Sequence, residues 1–361
     1  QGRFASDRSV VLLDPALQKR EWRRTMVNIG IVGVGFMGVT HFKAMAKVRG
    51  GRVSAIVTRD KKKGRGDWSE VQGNFGGSGG QQDLSRTKVY SSLDELLEDP
   101  KIDVVDICLP TSLHVDSALR ALRAGKHVFL EKPIALSLRD ADRLIAAAER
   151  AKRQFMVAHV LRYFPEFALV KKLVDDGQFG SVLAAHFKRI IARPTWWDPK
   201  SLERTGGPAI DLHIHDADFV QYLFGMPKSV VSQVYTGKGN TIEYIHTHYE
   251  YEGNRAISAE GGWLSQQGCP FEHGYDVYFD KGMLKFNSSW GKPPQLLTDD
   301  GKVRTPRLSK RDGFVGELQE VVGAIRSGQP SPVLGGASAR DSLALCLKEI
   351  QSAKGKKRVV L

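Results

Sequence analysis

Val27-Asn28-Ile29-Gly30-Ile31-Val32 runs straight into Gly33-Val34-Gly35-Phe36-Met37-Gly38, and no other stretch restricts this chain's fold so strongly. A short β-branched run ends in G-x-G-x-x-G, and Val39–Val48 continues with a helical pattern. The first glycine permits a tight turn, the second admits a pyrophosphate to the backbone, and the third allows close helix–strand packing. The helix N-terminus then turns its positive end toward the phosphates. The motif alone is also a common glycine-rich turn. Its strand–turn–helix setting makes it a dinucleotide-binding unit.

Strand and helix patterns then alternate. Val53–Val57, Val104–Leu109 and His127–Leu130 read as strands, and Leu93–Glu98, Leu113–Ala124 and Leu138–Lys152 as helices. Such alternation predicts right-handed βαβ units and a doubly wound parallel sheet, whose ligands lie beyond the carboxyl ends of the strands. Gly33, Pro110 and Lys132 all fall at such ends, so one crevice can hold all three. Gly64–Gln82 is a Gly-rich interruption, read as a long surface loop.

The end of the second strand bears on cofactor choice. An NAD site commonly places Asp or Glu there, against the ribose 2′-OH. This chain has Thr58-Arg59, then Asp60-Lys61-Lys62-Lys63. A hydroxyl and a planar guanidinium suit a 2′-phosphate, so NADP is expected, with NAD as the alternative if a bulged loop brings Asp60 to the ribose. Lys61 and Lys63 are read as solvated loop.

A second chemical cluster follows Glu131-Lys132-Pro133, in Thr205-Gly206-Gly207-Pro208-Ala209-Ile210-Asp211-Leu212-His213-Ile214-His215. Pro208 suits a first helical turn, and the pattern predicts one helix from Pro208 to Phe224, closed by Gly225 and Pro227. Asp211 and His215, four apart, share a face. They are either a polar pair in a helix interface or a carboxylate-oriented general base, with Lys132 supplying a cation to the same substrate oxygen.

At 361 residues the chain can hold two domains, and its 41% apolar and 26% charged content is that of an ordinary globular protein. No apolar run reaches membrane-spanning length. Cys108, Cys269 and Cys346 make no paired pattern, which argues for a reducing, cytoplasmic setting. The net charge of +13 is scattered over Lys19–Arg24, Arg59–Arg65 and Lys354–Arg358. With no nucleic-acid module around it, that charge suits solubility and a polyanionic cofactor. Residues 1–25 lack a secretory apolar segment and read as an N-terminal arm.

With these residues in view, the chain resembles the Gfo/Idh/MocA oxidoreductases, a family of sugar and polyol dehydrogenases. The matching segments are GVGFMG at 33–38, LPTSLH at 109–114, AGKHVFLEKPIALS at 124–137, AHVLRYFPEF at 158–167 and GGPAIDLHIHDAD at 206–218. The resemblance implies a Rossmann domain at 26–158, then an α/β domain at 159–361 on a large, mostly antiparallel sheet that supports a homodimer or homotetramer. Strand-like runs at Val182–Ile191, Ile242–Tyr251, Ala256–Trp263 and Tyr275–Phe279 agree, as do helical ones at Gly313–Arg326 and Ala337–Ala353.

Carried over by position, the resemblance makes Lys132 and His215 catalytic, with Asp211 orienting His215 or binding substrate. Gly33, Gly35, Phe36, Met37 and Gly38 would hold the pyrophosphate. Leu109, Pro110, Thr111 and His114 would line the nicotinamide side, beside Glu131, Lys132 and Pro133. Arg162 and Tyr163 would contact substrate or cofactor. Trp196 and Trp197 are either sugar-stacking rings or core. His213 departs from the family's frequent glycine and creates His-x-His, but residues two apart on a helix diverge by about 200°. His246 and His248 share a strand face, so a metal held by them with Asp211 and His215 is the alternative to a metal-free site.

Three function classes follow. The first is an NADP(H)-dependent dehydrogenase or reductase of a carbohydrate-like small molecule, without nucleic-acid or membrane partners. The second is a lyase or glycosidase that cycles a tightly bound cofactor. The third is a non-catalytic nucleotide-binding protein, which the presence of Lys132 and His215 disfavours.

Overall fold

The computed structural model describes residues 26–73, 77–194, 201–237 and 240–361. Trp196 and Trp197 therefore lie outside the described residues. Six parallel strands, β1 (Val27–Val32), β2 (Gly51–Val57), β3 (Lys88–Tyr90), β4 (Val104–Ile107), β5 (His127–Glu131) and β6 (Phe155–Ala158), form a sheet in the order β3-β2-β1-β4-β5-β6. Its central strands are buried on both faces because helices cover both. This is the expected Rossmann arrangement.

The second sheet has nine strands. They are β7 (Val182–Ala192), β8 (Ser229–Thr236), β9 (Ile242–Glu250), β10 (Ala256–Ser265), β11 (Glu272–Phe279), β12 (Gly282–Asn287), β13 (Gln295–Thr298), β14 (Val303–Arg304) and β15 (Val359–Val360). All neighbours pair antiparallel except β7 and β10, which run parallel. The helices Pro165–Asp176, Ile214–Phe224 and Gly336–Gly355 cover one face and bury Phe167, Phe219, Phe187 and Val277.

The last two long helices return across the boundary between the sheets. Gly313–Ser327 packs Leu318, Val321 and Val322 into the cluster that also holds Ile29, Val39 and Met45. Gly336–Gly355 contributes Ala339 and Leu343 to the Rossmann core, and Leu345 and Cys346 to the core of the second sheet. The cavity between the sheets is thereby framed by elements remote in sequence.

Several expectations are corrected. The helix after the glycine loop is Phe36–Met45, because it springs directly from the turn instead of starting at Val39. The Gly64–Gln82 segment is not merely a surface loop. Trp68 is 1% exposed, sets its ring edge-on to Phe42 and donates Nε1–H to the Lys63 carbonyl at 2.8 Å. The single helix expected from Pro208 to Phe224 is two pieces, Pro208–Asp211 and Ile214–Phe224. At the break the His213 N–H reaches back five residues to the Pro208 carbonyl, 2.8 Å away. Strands β3, β8 and β12 to β15 carry patterns too short or too polar to stand out beforehand.

Candidate active site

The glycine loop performs three separate steric tasks. Gly33 has φ +100°, and a Cβ there would lie 2.6 Å from the Cys108 carbonyl oxygen. A Cβ on Gly38 would lie 2.0 Å from the Gly33 oxygen, so only glycine lets the helix approach the strand. Gly35 meets nothing within 4 Å and lines a cavity of about 590 Å³. The Phe36–Met45 helix carries no acidic residue in its first turn. An open backbone below a helix N-terminus is what a dinucleotide pyrophosphate requires, so these residues fit that group.

At the adenosine end, Asp60 does not approach as a free ligand. Its carboxylate caps the Lys61–Gly64 helix, accepting from the Lys62 N–H at 2.8 Å and the Lys63 N–H at 3.2 Å. Arg59 stays exposed beside Thr58. Lys63 corrects the reading of a solvated lysine run, because its Nζ donates to the Val34 carbonyl at 2.9 Å and ties the loop to the glycine turn. Lys61 is exposed, as expected.

The cavity runs from the glycine loop to the second sheet. Phe36, Met37, Leu109, Pro110, Thr111, Glu131, Lys132, Asp211 and His215 all line it, so residues remote in sequence meet in one cavity. His114 and Pro133 do not line it. Instead the His114 ring bridges the Leu109 and Pro133 carbonyls at 2.8 and 2.9 Å, fixing the two catalytic-side loops to each other.

Lys132 and Asp211 are directly paired. Lys132 Nζ donates to the Asp211 carboxylate at 2.8 Å and to its backbone carbonyl at 2.7 Å, which leaves a third N–H without a partner among the described residues. Asp211 thus orients the lysine. The His215 ring makes no hydrogen bond among the described residues and faces the cavity. Burial, with the Lys132 and Arg189 cations nearby, holds its pKa well below the usual 6.5. A neutral imidazole with a free nitrogen can accept a proton.

His213 turns the other way. It is fully buried, with Nε2 3.0 Å from Glu349, so the divergence expected within His-x-His is present. His246 and His248 lie on the outward side of β9, whose alternate residues Ile245, Thr247 and Tyr249 are buried inward. The sheet therefore separates them from Asp211 and His215, and the four-residue metal arrangement is not formed. Arg162 and Tyr163 are also displaced from the cavity. Arg162 is 5% exposed, forks onto Asp218 and donates to Ser338, while Tyr163 packs against Gly316.

Two groups were not anticipated. Arg189, Phe271 and His273 line the far end of the cavity. Beneath its floor, His41 sits between Asp106, 2.9 Å from Nδ1, and Glu131, 3.4 Å from Nε2, with the Cys108 sulfur 3.4 Å from Nδ1. Glu317, on the Gly313–Ser327 helix, is fully buried, with both oxygens unpartnered among the described residues. A His in an apolar helix and an Asp inside the VVDICL run were the available signals, since charged residues are almost never fully buried unless paired.

Comparison with known proteins agrees with this architecture. A model described as an oxidoreductase family with an NAD-binding Rossmann fold matches residues 27–159, and a GFO/IDH/MocA C-terminal domain model matches 167–285. The chain belongs to the Gfo/Idh/MocA family of oxidoreductases. This Gfo/Idh/MocA protein is 25% identical to myo-inositol 2-dehydrogenase of Thermotoga maritima, with 93% of this chain and 98% of that protein covered. It is 26% identical to scyllo-inositol 2-dehydrogenase (NADP(+)) of Bacillus subtilis, covering 85% and 88% of the two chains. It is 28% identical to 2,7-anhydro-N-acetylneuraminate hydratase of Escherichia coli, covering 73% and 68%. Levoglucosan dehydrogenase in complex with NADH and L-sorbose shares the fold at a TM-score of 0.78 and 20% identity, covering 93% and 99%.

Proposed function

We propose that this protein transfers hydride between NADP(H) and a hydroxyl or carbonyl of a sugar, polyol or related compound. The observation that carries the reading is the meeting, in one cavity with the open backbone of Gly35, of the Lys132–Asp211 pair and a His215 ring that has no hydrogen bond among the described residues. A bound nicotinamide dinucleotide supplies the hydride acceptor or donor. His215 accepts the hydroxyl proton, and the third N–H of Lys132 stabilises negative charge developing on that oxygen. Asp211 holds Lys132 in place.

The inositol dehydrogenases among the relatives support a polyhydroxylated substrate. Capping by Asp60 and exposure of Arg59 support NADP over NAD. Lys132→Ala and His215→Ala are each expected to reduce turnover about 10²–10⁴-fold with cofactor affinity nearly intact. Losses below about tenfold at both sites would sink the assignment. Titration by nucleotide fluorescence should show tighter binding of NADPH than NADH, weakened by Arg59→Ala. A preference for NADH would overturn the cofactor choice.

The hydratase relatives favour one second reading, in which the cofactor stays bound and is oxidised and reduced within each turnover. Product formation without NAD(P)H accumulating in solution would establish that alternative.

A further inference from the structure

At the far end of the cavity, hydrogen-bond donors outnumber acceptors. Arg189, on β7, holds the buried Asp216 through Nε at 2.6 Å and Nη2 at 3.3 Å, both on one edge of the guanidinium. Nη1 has no partner among the described residues, and Arg189 lines the cavity, so the terminal Nη1/Nη2 edge is open. His273 sits directly opposite Arg189 in the β7–β11 register. Its ring lines the cavity with no hydrogen bond among the described residues, and its Nδ1 is buried. The third N–H of Lys132 adds a second cationic donor, and the neutral His215 ring offers one N–H beside its acceptor nitrogen.

The carboxylate and hydroxyl acceptors nearby are partly engaged. The Asp211 carboxylate receives Lys132, and the Thr205 hydroxyl receives the Gly207 N–H at 3.2 Å. Glu131 is turned to His41 and to the Lys132 N–H.

A neutral hydroxyl both donates and accepts, so against the Arg189 edge, which only donates, its own hydrogen finds no acceptor. A carboxylate only accepts, and the open edge of a guanidinium matches it with two parallel bonds. We propose that the Arg189–His273 end of the cavity binds a carboxylate of the substrate, so that the substrate is a sugar acid of the uronic or aldonic class. Lys132 and His215 then act on a hydroxyl of the same molecule. Phe271, whose ring centroid lies 5.9 Å from the Arg189 guanidinium carbon, helps to fix the plane of the fork.

This inference rests on the dehydrogenase reading for its chemistry but not for its binding. Its test uses pairs that differ at one carbon: D-galacturonate with D-galactose, D-glucuronate with D-glucose, and D-gluconate with D-glucitol. Binding is measured by calorimetry on the full chain saturated with cofactor, and turnover by nicotinamide absorbance. The acid should bind about tenfold or more tightly than its neutral partner, the scale of one charge-assisted bond. Arg189→Lys keeps a cation on Asp216 but loses the fork, and His273→Phe removes a donor at constant bulk. Each should cut acid affinity about tenfold, and retained cofactor affinity shows that the fold is intact. Neutral partners binding as tightly as the acids, or no acid binding at millimolar concentration, overturns the inference. An acid that binds without producing NAD(P)H upholds the subsite and counts against the dehydrogenase reading instead.

Discussion

A histidine near two cations in a desolvated cavity resists protonation, and this sets the pH behaviour of the proposed base. Burial, then Lys132, then Arg189 push the His215 pKa down. The neutral form is therefore retained as pH falls through 6.5 and lost only at lower pH. The acid limb of kcat/KM is expected below pH 6.5, the ordinary value for an imidazole. A limb at or above 6.5 would exclude His215 as the base. The opposite sign holds at Glu317, whose pKa burial raises well above 4.5. Its contribution to folding is complete below pH 4.5 and declines as pH rises through the raised value. Glu317→Gln keeps the shape without the charge. It should raise Tm by about 2–4 °C at pH 8, with the difference from the wild type vanishing below pH 4.5. An unchanged Tm difference across that range would show that Glu317 is not linked to folding in this way.

At the scale of elements, the residues with steric necessity were the legible ones. β1 and the Leu93–Glu98 helix have the bounds expected from pattern alone, because β-branched alternation and a Ser92 cap speak locally. The wide turn at Leu212–His213 did not, since the helical periodicity of Pro208–Phe224 is unbroken in sequence. Asp211 accordingly meets Lys132 from another element, a contact that spacing within one helix cannot disclose. Arg189 and His273 were illegible for a related reason: β7 and β11 become neighbours only through the register of the second sheet. Arg162 shows the converse, a charged residue in a family-matching segment that is absorbed by structure. Its partner Asp218 also receives the Ser342 hydroxyl at 2.6 Å and lies 3.2 Å from His159, whose pKa burial lowers to about 4. Removing one member of such a buried pair costs about 3–5 kcal/mol. Asp218→Asn should therefore lower the denaturation midpoint markedly, while Arg59→Ala, on the exposed rim, should not move it. Equal midpoints for the two variants would contradict the structural role given to Asp218.

Among the described residues, a broad face of the second sheet has no helical cover. The inner face of the nine-stranded sheet is closed by three helices, whereas the outer face carries His186, Lys188, Tyr244, His246, His248 and Glu260. These groups are linked laterally. The His246 and His248 rings lie 4.8 Å apart, His186 is 5.9 Å from His246, and Tyr244 donates to Glu260. Toward one end the same face exposes Tyr235 at 55% and Leu264 at 43%. A large sheet face that mixes aromatic, apolar and paired polar groups suits a self-complementary two-fold contact, in which the same patch appears on both subunits. A second copy of the chain is the expected occupant, with part of Ile242–Trp263 in the interface. Light scattering on the wild type should give at least twice the 40.0 kDa chain mass. Tyr235→Lys with Leu264→Lys should shift it toward the monomer, because like charges would then face each other across the axis. The cavity lies on the opposite side of the sheet, so cofactor affinity in the dissociated variant should stay near that of the wild type. A wild-type monomer at working concentration would refute the contact, and a variant that stays oligomeric would move it to another face.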